Sequence, residues 1–199
     1  MTAKEPTSPR EFLAFAAWTT EPEHIAFDAD AVVVTAVESS DAWRTTSYGF
    51  VRDTAHAALT PVGARWGLEV SFVLDYTGQF DQAGIFVRVS DTEWVKAGVE
   101  YSDGVPQVGA VVTHNTSDWS VAPVPEWQGR EVTTRVSRDG DALTIRARVE
   151  DEPWRLVRVA YLDPAADASA GLYCCAPSRA GLSVKFTRVT LGEPDASLH

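Results

Sequence analysis

Residues 81–120 read DQAGIFVRVSDTEWVKAGVEYSDGVPQVGAVVTHNTSDWS, and their alternation of apolar and polar residues, broken by short turn-forming stretches, decides the fold class. In a strand, successive side chains point to opposite faces, so Ile85, Val87 and Val89 turn one way while Gln82, Gly84, Phe86 and Arg88 turn the other. The same rule sends Val95, Ala97 and Val99 to the first face and Trp94, Lys96, Gly98 and Glu100 to the second. The first face is core. The second carries charge, an aromatic ring and bare glycine, which marks it as the candidate site.

A hairpin loop at Asp91-Thr92-Glu93 would set Ser90 opposite Trp94, Arg88 opposite Lys96, Phe86 opposite Gly98 and Gly84 opposite Glu100. A four-residue turn at 102–105 then places Gln107 beside Glu100 and Gly109 beside Gly98, so that three glycines form a shallow trough. Two cations directly opposite each other are mildly destabilising unless a carboxylate neutralises them, and Glu100, Asp81 or an acidic ligand could do so. The same spacing also fits a solvated face in which Arg88, Lys96 and Glu100 make surface pairs worth about 0–1 kcal/mol.

Outward from this stretch the β pattern continues. Strands are predicted at 31–37, 43–50, 66–75, 82–89, 94–101, 107–113, 131–137, 143–149, 154–161, 170–175 and 182–191, with one short helical turn within 9–17. Eleven strands imply two sheets. The stretch 114–129 reads as an ordered loop, and no linker divides the chain, so residues 1–199 form a single β-sandwich domain with an ordered core at about 10–192 and frayed tails. Apolar residues make up 45% of the chain and seven are tryptophan, enough for a core that buries roughly 70% of the unfolded surface.

The net charge of −11 and the lack of a basic stripe argue against nucleic acid, whose binding draws on clustered Lys and Arg. No stretch is apolar for the roughly 20 residues that span a bilayer, and the N-terminus has no signal-like apolar run, so a cytoplasmic protein without membrane contact is expected. Cys174 and Cys175 are adjacent and read as two buried thiols. The four histidines have no ligand spacing and no D-x-D-x-D-G loop occurs, so neither a metal nor any other cofactor is expected.

Asp41, Trp43 and Arg44 in SSDAWRT, and Asp118 and Trp119 in TSDWS, each set an acid near an indole. Indole faces stack on the apolar faces of a sugar while carboxylates and guanidinium groups bond its hydroxyls; each tryptophan alone would equally serve a core. Adding the strand residues gives the candidate ligand site: Asp41, Trp43, Arg44, Asp81, Gln82, Arg88, Trp94, Lys96, Glu100, Asp118 and Trp119. Three functions compete for it. The first is a lectin-like, non-catalytic module for a saccharide or other small polar ligand. The second is a carbohydrate-active enzyme with Glu100 or Asp81 as general acid or base, whose pKa nearby Arg88 and Lys96 would depress. The third is a regulatory domain whose aromatics dock a protein partner.

Five ordered motifs, DAWRTTSYGF from 41, DQAGIFVRV from 81, TEWVKAGVEY from 92, VVTHNTSDWS from 111 and GLYCCAPSRAGLSVKFTRV from 171, make the chain similar to the regulation-of-enolase-like family, a domain of unknown function. The resemblance covers nearly the whole chain. It implies a concanavalin A-like jelly roll of two curved antiparallel sheets, a fold in which many lectins and glucanases bind glycans on the concave sheet or its rim. Cys174 and Cys175 depart from the small residues the resemblance implies ahead of Pro177.

Overall fold

The structure is a computed structural model that describes residues 8–198. A short helix α1 (Pro9–Leu13), capped by the Ser8 side chain, precedes an all-β body. The strands are β1 (Ala17–Trp18), β2 (His24–Asp28), β3 (Ala31–Thr35), β4 (Ala42–Arg44), β5 (Val51–Asp53), β6 (His56–Val62), β7 (Arg65–Val73) and β8 (Gln82–Ser90). They continue as β9 (Glu93–Ser102), β10 (Val105–His114), β11 (Thr116–Pro123), β12 (Glu131–Asp139), β13 (Ala142–Val149), β14 (Arg155–Tyr161), β15 (Ala168–Cys175) and β16 (Ser183–Gly192).

Two seven-stranded antiparallel sheets, in the orders β1-β6-β15-β8-β9-β10-β11 and β14-β13-β12-β7-β16-β3-β2, pack face to face as a jelly-roll sandwich. Their inner faces meet in the main core, where Ile85, Val87, Val95, Ala97 and Val99 of the first sheet join Leu68, Val70, Phe72, Val136 and Ile145 of the second. The alternation read from the sequence therefore assigns these faces correctly. Strands β4 and β5 form a separate two-stranded ribbon, and it lies over the outer face of the first sheet.

The register of the β8–β9 hairpin differs from the expected one. Ser90 pairs with Glu93 across a two-residue turn, and a bulge between Arg88 and Ser90 absorbs the extra residue, so Arg88 faces Trp94, Phe86 faces Lys96, Gly84 faces Gly98 and Gln82 faces Glu100. Two-residue turns match the twist of paired strands, and one unpaired residue in a bulge is the cost of using one here. Arg88 and Lys96 are thus not opposed. The β9–β10 register matches the reading: Gln107 stands beside Glu100 and Gly109 beside Gly98.

Three other expectations are corrected. The predicted strand at 43–50 is instead β4 followed by a tight loop, in which Thr45, Ser47 and Gly49 take φ of 65°, 64° and 73°, incompatible with continuous pairing. The supposed loop at 114–129 contains β11, an edge strand that pairs with β10 from His114↔Thr116 to Gln107↔Pro123. Residues after β16 are tied down where a frayed end was expected: the Asp195 carboxylate bridges Arg135 (2.7 Å) and Arg146, and the Glu193 carbonyl accepts from Arg135 at 3.0 Å. The expected fray of residues 1–7 lies outside the described residues. Among the described residues, no helix is long and apolar enough to cross a membrane.

Close strand approach at mid-sheet requires glycine. A Cβ added at Gly98 would come 2.0 Å from the Ala83 carbonyl oxygen and 2.8 Å from Gly84 Cα, both backbone atoms that cannot step aside. Gly98→Ala is therefore expected to lower unfolding stability by about 1 to 3 kcal/mol, read as a drop in denaturation midpoint.

Candidate functional site

The outer face of the first sheet carries a second apolar cluster, formed by Ala42, Trp43, Ala55, Ala57, Leu59, Phe86, Trp94, Val111, Tyr173 and Cys175. Phe86 and Trp94 stack at 5.4 Å between ring centres, and Trp43 of the ribbon closes over this end of the sheet, its edge 6.5 Å (centre to centre) from Trp119. Both Cys174 and Cys175 are buried free thiols, and burial raises the pKa of each.

The segment before the ribbon is clamped to the end of β15. The backbone N–H of Ser39 donates to the Ala176 carbonyl at 2.9 Å, and the Ala176 N–H donates to Ser40 Oγ at 2.9 Å. This clamp delivers Asp41 to Lys96, whose ammonium Nζ donates to Asp41 Oδ1 at 2.8 Å. Lys96 is buried, with 3% of its side chain exposed. Burial is the largest single effect on it and favours the neutral amine, but the carboxylates of Asp41 and Glu100 and the neighbouring Cys175 together outweigh it and raise the pKa.

Beyond the ion pair the apolar cluster gives way to a cavity of about 350 Å³. Its floor is polar: Lys96, Glu100 and Gln82 with Asp41. Its walls are aromatic: Trp43, Tyr48 and Phe50 from the ribbon and its loop, Trp119 from β11 and Phe80 from the β7–β8 connection, with Pro177 and Ser178 at the far end. Tyr48 stacks on Phe50 at 5.6 Å, and the Arg52 guanidinium sits 5.4 Å from the Phe50 ring centre.

Glu100 is the anomalous group on the floor. Its two cross-strand neighbours use their amides elsewhere: Gln82 Nε2 donates to the Phe80 carbonyl at 3.1 Å, and Gln107 Nε2 donates to Ser102 Oγ at 2.9 Å. Glu100 Oε1 is consequently buried without a hydrogen-bond partner. Burial pushes its pKa up to about 7, only partly opposed by Lys96. The expectation that cations would depress this carboxyl is thus reversed: Lys96 is engaged by Asp41, and Arg88 turns to Asp53 (3.3 Å) and Asp91 (2.6 Å).

Of the eleven residues singled out from sequence, Asp41, Trp43, Gln82, Lys96, Glu100 and Trp119 line this cavity. The other five stand elsewhere. Arg44 pins the ribbon, its N–H donating to Ser117 Oγ at 2.9 Å and its Nε to the Asn115 carbonyl at 3.1 Å. Trp94 is 2% exposed beneath the ribbon, and Arg88 holds the two acids named above. Asp81 is fully buried and accepts from Arg179 Nε at 2.9 Å and the Gly78 N–H at 3.0 Å; burial raises its pKa despite Arg179. Asp118 points outward to Arg158 at 3.4 Å. The sequence reading missed Tyr48, Phe50, Arg52 and Phe80; the first two lie in the motif DAWRTTSYGF, where a strand assignment hid the loop that sets them at the cavity rim. Among the described residues, no group of three or more His, Cys, Asp or Glu is placed to hold a metal ion.

Sandwich and covered cavity together define a lectin-type jelly roll with one outer face partly roofed by a ribbon. The chain belongs to the family described as a protein of unknown function, DUF1349, whose pattern matches residues 18–194. It is 35% identical over 177 residues to "Regulation of enolase protein 1" of Saccharomyces cerevisiae, covering 89% of each chain. A crystal structure of a functionally unknown protein from Saccharomyces cerevisiae superposes with a TM-score of 0.86 at 34% identity, covering 92% of this chain and 99% of that one. The metal-free lectin I-B4 of Griffonia simplicifolia gives a TM-score of 0.58 at 15% identity over 96% of this chain and 99% of that chain, a likeness of fold alone.

Two outcomes test the electrostatics. Asp41→Asn leaves the Lys96 charge buried without its counter-ion and is expected to cost about 3 to 5 kcal/mol, whereas Asp41→Leu combined with Lys96→Met recovers most of that loss in denaturant titrations. For Glu100, the folded pKa of about 7 lies above the ordinary carboxylate value, so its favourable contribution is present below the unfolded pKa and lost as pH rises through the folded one. Glu100→Gln is therefore expected to be more stable than the parent at pH 8 by about 1 to 3 kcal/mol, with the curves converging below pH 5.

Proposed function

We propose that this protein is a lectin-like, non-catalytic module that holds a small carbohydrate, or a similar small polar ligand, in the cavity beside the ribbon. The observation that carries this reading is the pairing of aromatic walls with a polar floor on which the Glu100 Oε1 carboxyl oxygen is buried and unpartnered. Aromatic faces take the apolar side of a sugar ring, and Lys96, Glu100 and Gln82 take its hydroxyls. The cavity volume, about 350 Å³, falls at the small-ligand end of binding clefts.

The way the carboxylates are used supports the non-catalytic reading. Glycoside hydrolysis takes two of them across the scissile bond, and of the two that line the cavity, Asp41 is committed to Lys96 and to the Ala42 N–H at 2.8 Å. Two buried thiols, Cys174 and Cys175, suit a reducing compartment such as the cytoplasm. A regulatory protein interaction is the second reading, favoured by the exposure of Tyr48 (53%) and Phe50 (40%) at the cavity rim.

The test is a thermal-shift and calorimetric screen against monosaccharides and short oligosaccharides. A ligand at 100 times its Kd is expected to stabilise the fold by about 2.7 kcal/mol, and Trp119→Ala is expected to weaken that ligand by at least about tenfold. No shift with any saccharide, together with recovery of one stoichiometric protein that Tyr48→Ala releases, would replace the first reading by the second.

A further inference from the structure

We propose that the cavity selects an amino sugar, a small saccharide whose protonated amine pairs with the Glu100 carboxyl while its ring lies against Trp119. This rests on the carbohydrate reading above and narrows it.

Charge on the floor disfavours an acidic ligand. Lys96 has Asp41 at 2.8 Å, so the pair presents no net positive charge to the cavity, and the two other cations that the sequence sets nearby are spent: Arg88 on Asp53 and Asp91, Arg44 on the carbonyls of Asn115 and Asp91. Arg52 at the rim lies over Phe50 and donates to the Ser39 carbonyl at 3.2 Å. An anion reaching the floor would meet the Glu100 carboxyl inside a chain of net charge −11, and Arg52, the cavity-lining cation without a carboxylate partner among the described residues, stands at the rim and not on the floor.

The same floor rewards an amine. Glu100 Oε1 is an acceptor taken out of water and left unpaired, and an ammonium group would satisfy it with a charge-assisted hydrogen bond, about twice as strong as a neutral one. Tryptophan and tyrosine rings at the walls add to the preference, because the faces of such rings attract cations. A hydroxyl would satisfy the same oxygen but brings no positive charge of its own to the carboxylate or to the ring faces.

Pairing has a consequence for protons. Glu100 is faced by Lys96, Asp41 and Asp103, and beyond them by Tyr76, Tyr173 and Cys175, which burial keeps neutral. With its pKa raised to about 7, a large share of the Glu100 population is protonated at neutral pH. On binding, the neutral carboxyl releases its proton to solvent and becomes the carboxylate that holds the ammonium, whereas a neutral sugar triggers no such release.

The experiment is isothermal titration at pH 7 of the full chain with D-glucosamine, D-glucose, N-acetyl-D-glucosamine and D-glucuronate, each in two buffers of different ionisation enthalpy. Glucosamine is expected to bind at least about tenfold more tightly than glucose, with a buffer-dependent enthalpy that reports proton release. N-acetylation, which removes the charge without touching the protein, should abolish both effects, and Glu100→Gln should bring the glucosamine-to-glucose ratio close to one. Equal binding of glucosamine and glucose, a preference for glucuronate, or a glucosamine preference that survives Glu100→Gln would each overturn this assignment while leaving the carbohydrate reading in place. Failure of all four sugars to bind would also overturn it, and the wider saccharide screen would then decide the carbohydrate reading separately.

Discussion

The ion pair between Lys96 and Asp41 is the contact on which the outer face of the first sheet depends. An ammonium with 3% of its side chain exposed, at the centre of a sheet, is tolerable only with a carboxylate against it. That carboxylate arrives from the base of the ribbon, and the clamp at Ala176 is what aims it. A pair of this kind contributes little net stability against a well-packed apolar substitute, but it favours the placement of the ribbon that brings Asp41 to Lys96. Once the ribbon is placed, Trp43 covers Phe86 and Trp94, and the loop at 45–50 brings Tyr48 and Phe50 to the cavity wall.

Next to this satisfied pair sits an unsatisfied group four residues along the same strand. Gln82 and Gln107 flank Glu100 yet turn their amides to Phe80 and Ser102, so the fold spends stability on a buried carboxyl it could have paired. Natural chains carry such local costs mainly where a ligand or a reaction uses them. The loop at 45–50, with Thr45 and Ser47 in the left-handed region, is a second cost at the same cavity. Family membership and the lectin-type sandwich give these residues a scaffold, but one fold hosts many activities, and it is the pairing of cost with cavity that points to function.

Sequence and structure part at identifiable places. The hairpin register was displaced by two positions, yet every face assignment survived, because a slip of two preserves the side on which a side chain lies whereas a slip of one reverses it. β11 escaped notice because an edge strand with one solvated side can be rich in Ser, Thr and Asp, the residues that also mark loops. The stretch 43–50 has strand-like composition but turns through three positive-φ positions, and only Gly49 among them signals a turn by its identity. Arg88 and Lys96 read as neighbours with one shared electrostatic effect, whereas the bulge separates them and gives each its own acid.

By itself the sequence determined the all-β class, the faces of β8 and β9, the burial of the paired cysteines and the family, because these follow from a period-two pattern and from motifs spread over nearly the whole chain. Only the tertiary structure decided which polar residues meet. Asp41 reaches Lys96 across 55 residues of chain, Arg179 reaches Asp81 across 98, and Arg158 draws Asp118 outward from the second sheet. Alternation specifies the side to which a group points and carries no information about which distant segment will cover it. The pKa of Glu100 is of the same kind, set by the absence of a partner that no local pattern could reveal.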